Sequence, residues 1–142
     1  MTVQDLTLDI ELNIDINASP QKAFEAMLHR LGEGNTTPDG SAMPMVFEAQ
    51  PGGRWYRDRG NGIFHLWGFL QVIKPAELIE ISGPMFMSYP ANNHLEIKFA
   101  ESADGCHVTL RHRALGMIEP GHRQGLGSGW QHMLAELKKE SE

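Results

Sequence analysis

The 142-residue sequence is poor in cysteine and in positive charge, and it has no long apolar run. Its single cysteine, Cys106, excludes an internal disulfide framework and a zinc site built from several cysteines. No apolar stretch reaches the roughly 18 residues of a transmembrane helix, so no stable membrane insertion is expected. The N-terminal stretch MTVQDLTLDIEL has neither a basic start nor an apolar core. It therefore predicts no secretion signal, and we expect a cytoplasmic protein.

Basic residues are too few and too scattered to predict nucleic-acid binding, which needs a basic face. The net charge is -6 and the pI is about 5.6, and the densest basic group, Arg54, Arg57 and Arg59, is interrupted by Asp58. The content of 41% hydrophobic and 21% charged residues is typical of a globular protein. Because 142 residues normally form one core, we predict a single domain over residues 1–142.

The first part of the chain predicts a strand followed by a helix. Apolar and polar residues alternate strictly from Leu6 to Ile16. This period of two indicates a strand with one dry face, as in an antiparallel sheet. Ser19 followed by Pro20 is a helix N-terminus signal, apolar residues then recur at helical spacing, and Gly32 lies where a C-terminal cap belongs.

Turn-forming residues divide the middle of the chain into a loop and several strands. Residues 32–44, GEGNTTPDGSAMP, have neither period and predict a long loop. Turn signals such as Pro51-Gly52-Gly53 and Asn61-Gly62 separate the strand-like runs that follow. The predicted strands cover residues 45–50, 54–58, 63–73, 78–87, 95–99 and 106–115. Residues 63–73 are apolar on both faces, which predicts a central strand.

The segment GLGSGWQHMLAEL, residues 125–137, combines alternate glycines with an apolar helical stripe. The stripe consists of Leu126, Trp130, Met133, Leu134 and Leu137. A phosphate-binding loop is not favoured, because the glycines lie inside the periodic pattern and no lysine follows in P-loop position. Gly127 falls beside the stripe and Gly129 at its edge. Glycine there serves either close packing against the sheet or an open space beneath the helix.

Four segments spread over nearly the whole chain carry a family resemblance: INASPQKAFEAML (16–28), FEAQPGGRWYRD (47–58), LWGFLQVIKPAELIEI (66–81) and GWQHMLAEL (129–137). With them the sequence resembles the START-like (SRPBCC) superfamily, and most closely bacterial homologues of the C-terminal domain of the heat-shock-protein-90 ATPase activator. The resemblance implies an α+β helix-grip fold. In that fold, we expect a curved antiparallel sheet to wrap around a long C-terminal helix and to enclose an internal cavity.

The resemblance further implies that the cavity binds a small hydrophobic or amphipathic ligand, such as a lipid. The residues expected to line it are Phe47, Trp55, His65, Trp67, Met85, Met87, Phe99, Leu110, His112 and Trp130. One alternative is a polyketide cyclase or dehydratase-like enzyme that uses the same cavity. Another is a chaperone-interaction module, which is less favoured because the eukaryotic activator has an additional N-terminal domain that this chain lacks. A homodimer is left open.

The seven histidines predict neither a metal site nor a committed active site. No H-E-x-x-H motif and no histidine pair at helical i, i+4 spacing occurs, so no metal ligand and no cofactor is predicted. His112 is in phase with Val108 and Leu110 and should point inward, where it could meet His65. In the enzyme alternative these two histidines would supply acid–base chemistry. We favour ordinary buried hydrogen bonds for them, and an enzyme is not the preferred interpretation.

Overall fold

The structure, a computed structural model, describes residues 2–142. A short 3-10 helix at Gln4–Leu6 precedes the first strand. The strands are β1 (Thr7–Ile16), β2 (Val46–Phe47), β3 (Arg54–Asp58), β4 (Phe64–Lys74), β5 (Leu78–Gly83), β6 (Ala91–Ser102) and β7 (Gly105–Gly116). The helices are α1 (Pro20–Leu31), between β1 and β2, and α2 (Pro120–Ser141), after β7.

All seven strands form one antiparallel sheet in the order β1-β7-β6-β5-β4-β3-β2. The first strand pairs with the last along its whole length, from Thr7 opposite Leu115 to Ile16 opposite Cys106. Both helices pack on one face of the sheet, and the main apolar core lies between α1, α2 and that face. The curved sheet around a long C-terminal helix confirms the predicted α+β helix-grip fold.

Helix α1 begins and ends where the sequence predicts. The Ser19 hydroxyl accepts a hydrogen bond from the Lys22 amide at 3.1 Å, and Pro20 occupies the first helical position. Trp55 on β3 donates its indole N–H to the carbonyl of Leu31 at 2.8 Å. This bond satisfies a carbonyl of the last helical turn and attaches β3 to the end of α1.

Two glycines allow neighbouring backbone segments to pass unusually close together: Gly53, directly before β3, and Gly68, within β4. A Cβ built on Gly53 would lie 1.9 Å from the carbonyl oxygen of Glu48. A Cβ on Gly68 would lie 2.8 Å from the carbonyl oxygen of Ser82, and Gly68 is the register partner of Trp55. Gly53 and Gly68, which lie in two of the segments that carry the family resemblance, are therefore required by backbone geometry.

Two predicted strands are too long. Residues 45–50 contain only the two-residue strand β2. The strand predicted over 78–87 stops at Gly83, because Met85 has a φ of 54° and turns the chain. The Met85 amide donates to the carbonyl of Trp67 at 2.6 Å, which binds this turn to β4. The turn places Phe86 opposite α2.

Strand β4 has neighbours on both sides, but it is not buried on both faces. Its outward-facing apolar residues are 40 to 56% exposed: Ile63, just before the strand, and Phe64, Leu66 and Phe69. Both helices cover the opposite face, and no described element covers this one. The apolar character of residues 63–73 thus predicted the interior position of β4 within the sheet correctly.

Candidate functional site

An apolar pocket of about 330 Å³ opens between α2, the 32–44 loop and the sheet. All three tryptophans of the chain, Trp55, Trp67 and Trp130, lie in its wall. The 32–44 loop supplies one side with Asn35, Thr36, Pro38 and Met43. The predicted loop is therefore a wall of the pocket, as loops that carry binding residues often are.

Aromatic rings packed edge to face build the sheet side of the pocket. The ring centroids of Trp55 and Trp67 are 5.1 Å apart at an interplanar angle of 76°. Phe86 continues the row, with its centroid 5.4 Å from that of Trp67 at 69°. Edge-to-face contacts of this kind orient each ring relative to its neighbour. The wall is therefore an ordered aromatic surface that suits an apolar ligand.

The helix side of the pocket carries glycines one turn apart: Gly121, Gly125 and Gly129. A Cβ at Gly125 or Gly129 would meet no atom within 4 Å. Close helix–sheet packing therefore does not explain these two glycines, and the open-space alternative holds at this face. A Cβ at Gly127 would likewise meet no atom within 4 Å, but Gly127 does not line the pocket. It lies one turn after Arg123, whose guanidinium donates to the carbonyls of Thr7 at 2.8 Å and Asp5 at 3.1 Å near the start of β1.

One end of the pocket is polar and lies beside a buried cation. His132 Nε2 is 2.8 Å from the Thr36 hydroxyl, and both residues line the pocket. Arg30 of α1 donates to the same hydroxyl from Nη2 at 2.9 Å and is only 7% exposed. The nearest carboxylate oxygen to Arg30 is that of Glu140, 3.8 Å from Nη1.

At the other end of the pocket, His122 forms a stacked aromatic pair with Tyr89. The Tyr89 hydroxyl is 2.7 Å from His122 Nδ1, and the two rings stack at 26° with centroids 5.7 Å apart. The edge of Phe86 packs on the His122 ring at 5.0 Å. His122 lines the pocket, so a second imidazole reaches the cavity about 15 Å along α2 from His132, at the helical rise of about 1.5 Å per residue.

His112 is fully buried behind Trp130, and both of its ring nitrogens are used. The Trp130 indole N–H donates to His112 Nδ1 at 3.0 Å, so the ring hydrogen lies on Nε2. Nε2 then donates to the Asn93 side-chain oxygen at 2.6 Å, and Asn93 in turn donates to the carbonyl of Pro84 at 3.1 Å. Burial lowers the pKa of His112 to about 4, so the ring is neutral at neutral pH.

The sequence model of the family described as "Activator of Hsp90 ATPase homolog 1-like protein" matches residues 17–142. The chain belongs to this family. A comparison with proteins of curated function finds no match.

Solved structures similar to this family member share its fold at low sequence identity. Protein CV1439 from Chromobacterium violaceum is 19% identical with a TM-score of 0.74, and the match covers 92% of this chain and 94% of that one. Protein SA2116 of Staphylococcus aureus, a protein of unknown function, is 13% identical with a TM-score of 0.69, covering 99% and 96%. The di-domain ARO/CYC protein StfQ from the steffimycin biosynthetic pathway is 16% identical with a TM-score of 0.70, covering 98% of this chain and 52% of that one.

The residues predicted to line the cavity of this family member fall into two groups. Trp55, Trp67 and Trp130 lie in the pocket wall. The others lie elsewhere. Phe99 packs on Phe24, Leu110 is buried in the core, and Phe47 packs on Trp55 in a separate surface groove. An adjoining pocket, which shares Trp67, Phe86 and part of the 32–44 loop with the first, is lined by His65, Met85 and Met87. The middle of the sheet is thus filled by side chains, and the space lies at one end of the grip.

His65 and His112 do not meet, which corrects the expectation that they could. His65 is exposed on β4 opposite Arg57, and β5 and β6 separate β4 from the strand that carries His112. Neither residue lines the first pocket. The histidines that do reach it are His122 and His132.

Sequence reasoning missed Phe86, His122, His132 and the polar part of the 32–44 loop. A signal for the helix residues was present. At about 100° per residue, His122, Gly125, Gly129 and His132 all fall on the same side of the Trp130–Leu134 stripe. No local pattern marked Phe86, because its position depends on the turn after β5.

Within residues 2–142, no three His, Cys, Asp or Glu side chains lie close enough together to hold a metal ion. Neither helix in that part of the chain is long and apolar enough to cross a membrane.

Proposed function

We propose that this protein binds a small molecule with an apolar body and a polar group in the pocket beneath α2. The observation that carries the proposal is the glycine face opposite the aromatic wall. Each interior glycine costs a helix about 1 kcal/mol relative to alanine. A Cβ at Gly125 or Gly129 would touch nothing within 4 Å, so the gain is open space. The volume of about 330 Å³ is within the usual range of small-molecule sites.

The comparisons support this proposal through the fold. The chain has the same fold as the di-domain ARO/CYC protein StfQ, which comes from the steffimycin biosynthetic pathway. At 16% identity the likeness extends to the fold and not to the ligand. Binding of a small apolar or amphipathic molecule is the common element that the fold and the pocket both support.

A matched pair of glycine substitutions tests the proposal. Gly129→Leu should fill the pocket and abolish binding of the uncharged probe 2-acetylnaphthalene, measured by calorimetry and by quenching of the three pocket tryptophans. The melting temperature should hold or rise, since the helix gains up to about 1 kcal/mol of propensity. Gly127→Leu adds the same side chain outside the pocket and should leave binding intact.

Two results would contradict the proposal. Binding that survives in Gly129→Leu would place the probe elsewhere. A clear fall in the melting temperature of that variant would indicate overpacking, which typically costs about 1–3 kcal/mol, and hence no open space. Native mass spectrometry of the purified protein provides an independent test by detecting a co-purified apolar ligand.

A cyclase- or dehydratase-like activity in the same pocket is the second candidate. The observation that favours this activity is that His132 lines the pocket and its Nε2 is hydrogen-bonded to Thr36. If His132 moves protons during turnover, His132→Gln should lower the rate about 10²-fold or more while ligand binding survives. Unchanged turnover of a polyketone substrate in this variant would remove His132 from that role.

A further inference from the structure

The two ends of the pocket differ in electrostatic character. Arg30 is the single charged side chain buried within the described residues, and it lies behind Thr36 at one end. At the other end the pocket is lined by Phe86 and His122, and His122 is 2.7 Å from the hydroxyl of Tyr89 outside the lining. The pocket therefore has one end that favours a negatively charged group of an amphipathic ligand and one end that does not.

The charge of Arg30 is incompletely balanced. Its Nε is buried and has no hydrogen-bond partner. Its nearest carboxylate, Glu140, lies 3.8 Å from Nη1 and also contacts His29 Nδ1 at 2.9 Å. Buried guanidinium groups are normally paired and fully hydrogen-bonded, because an unpaired buried charge is costly. Arg30 therefore keeps an unused donor behind this end of the pocket, and the Asp39 carboxylate, which lies within electrostatic reach of His132, is itself held by Thr37 and Ser41.

Thr36 and His132 present a donor to the pocket in either tautomer of the neutral histidine. If the Thr36 hydroxyl donates to Nε2, the ring hydrogen lies on Nδ1, for which the described residues provide no partner. If Nε2–H donates instead, the hydroxyl hydrogen of Thr36 is free, because the Arg30 bond uses only a lone pair of the oxygen. One N–H or O–H thus remains for an acceptor, and a nearby cation strengthens such a bond when the acceptor is charged.

We infer that the pocket takes a small aromatic or alicyclic carboxylic acid, with its carboxylate at Thr36 and His132 and its apolar body against the three tryptophans. This inference rests on the proposed function and names its ligand class. The carboxylate accepts the remaining donor, and its charge offsets that of Arg30, 2.9 Å behind the Thr36 hydroxyl. The ligand's apolar end then points towards Phe86 and His122, whose Nδ1 is already bonded to the Tyr89 hydroxyl.

Two nearly isosteric probes test the inference on the full chain by calorimetry: 2-naphthoate and the uncharged 2-acetylnaphthalene. We expect the acid to bind about tenfold to a hundredfold more tightly, as a charge-assisted hydrogen bond predicts. Thr36→Val and His132→Leu should each remove most of this preference while leaving the affinity for the ketone within about threefold. Tyr89→Phe removes a hydroxyl at the opposite end and should leave the preference unchanged.

The outcomes separate this inference from the proposed function. Equal affinity for the two probes, or a preference that Tyr89→Phe removes and His132→Leu keeps, overturns the carboxylic acid assignment and leaves the pocket as a binding site. If neither probe binds, the assignment and the proposed function both fail. If Thr36→Val does not fold, His132→Leu decides, because His132 lies on the surface of a helix and leucine is a good helix former.

Discussion

Replacing His112 with phenylalanine tests whether the buried network behind the pocket stabilises the protein. His112 accepts from Trp130 at 3.0 Å and donates to Asn93 at 2.6 Å, and its side chain is completely buried. Phenylalanine conserves the aromatic shape but leaves the Trp130 N–H and the Asn93 oxygen without partners. Each unsatisfied buried group costs about 1–3 kcal/mol, so the free energy of unfolding should fall by about 2–6 kcal/mol.

Urea denaturation followed by tryptophan fluorescence measures this loss of stability, which is compared with the losses in two control variants. His112→Gln can still accept from Trp130 and donate to Asn93, so it should lose clearly less stability. His107→Phe changes a partly exposed histidine on the opposite face of β7, where a surface pair with Asp15 contributes about 1 kcal/mol or less. If His112→Phe costs no more than His107→Phe, the argument that the network is stabilising is refuted.

Three further predictions concern pH, the cysteine and the chaperone. The lowered pKa of His112, about 4 against a usual 6.5, means that the unfolded chain binds the proton first. The contribution of neutral His112 to the free energy of unfolding is therefore complete above pH 6.5 and falls by up to about 3 kcal/mol as the pH drops towards 4. In urea titrations at several pH values, His112→Gln should reduce this dependence on pH. Burial raises the pKa of the Cys106 thiol, so Ellman's reagent should label it only after unfolding, and rapid labelling of the folded chain would contradict its burial. Addition of micromolar protein should leave the ATPase rate of a bacterial heat-shock protein 90 unchanged, since ligand binding in the pocket needs no chaperone, whereas a several-fold rise would support the interaction alternative.

The order and type of the main elements could be predicted from the sequence, because their signals are local, whereas their helix-grip arrangement came from the family resemblance. Strict alternation from Leu6 to Ile16 corresponds to β1, which runs from Thr7 to Ile16. Ser19, Pro20 and Gly32 bound α1, and the apolar stripe of α2 is buried as predicted. A period of two or of about 3.6 depends only on which side of an element meets the core, so it can be read without knowing what lies opposite.

The tertiary structure decided where the site lies. On α2, Gly127 and Gly129 fall on opposite sides of the Trp130 stripe, and the sequence does not distinguish a side that faces β1 from one that faces a pocket. The docking of α2, with Arg123 bonded to the start of the β1 region, places Gly129 at the pocket and Gly127 away from it. The inward phase of His112 was predicted correctly. Its two nitrogens are nevertheless taken by residues 18 and 19 positions away, on α2 and β6. Partners that distant in sequence are chosen by strand register and helix docking, which no local period encodes.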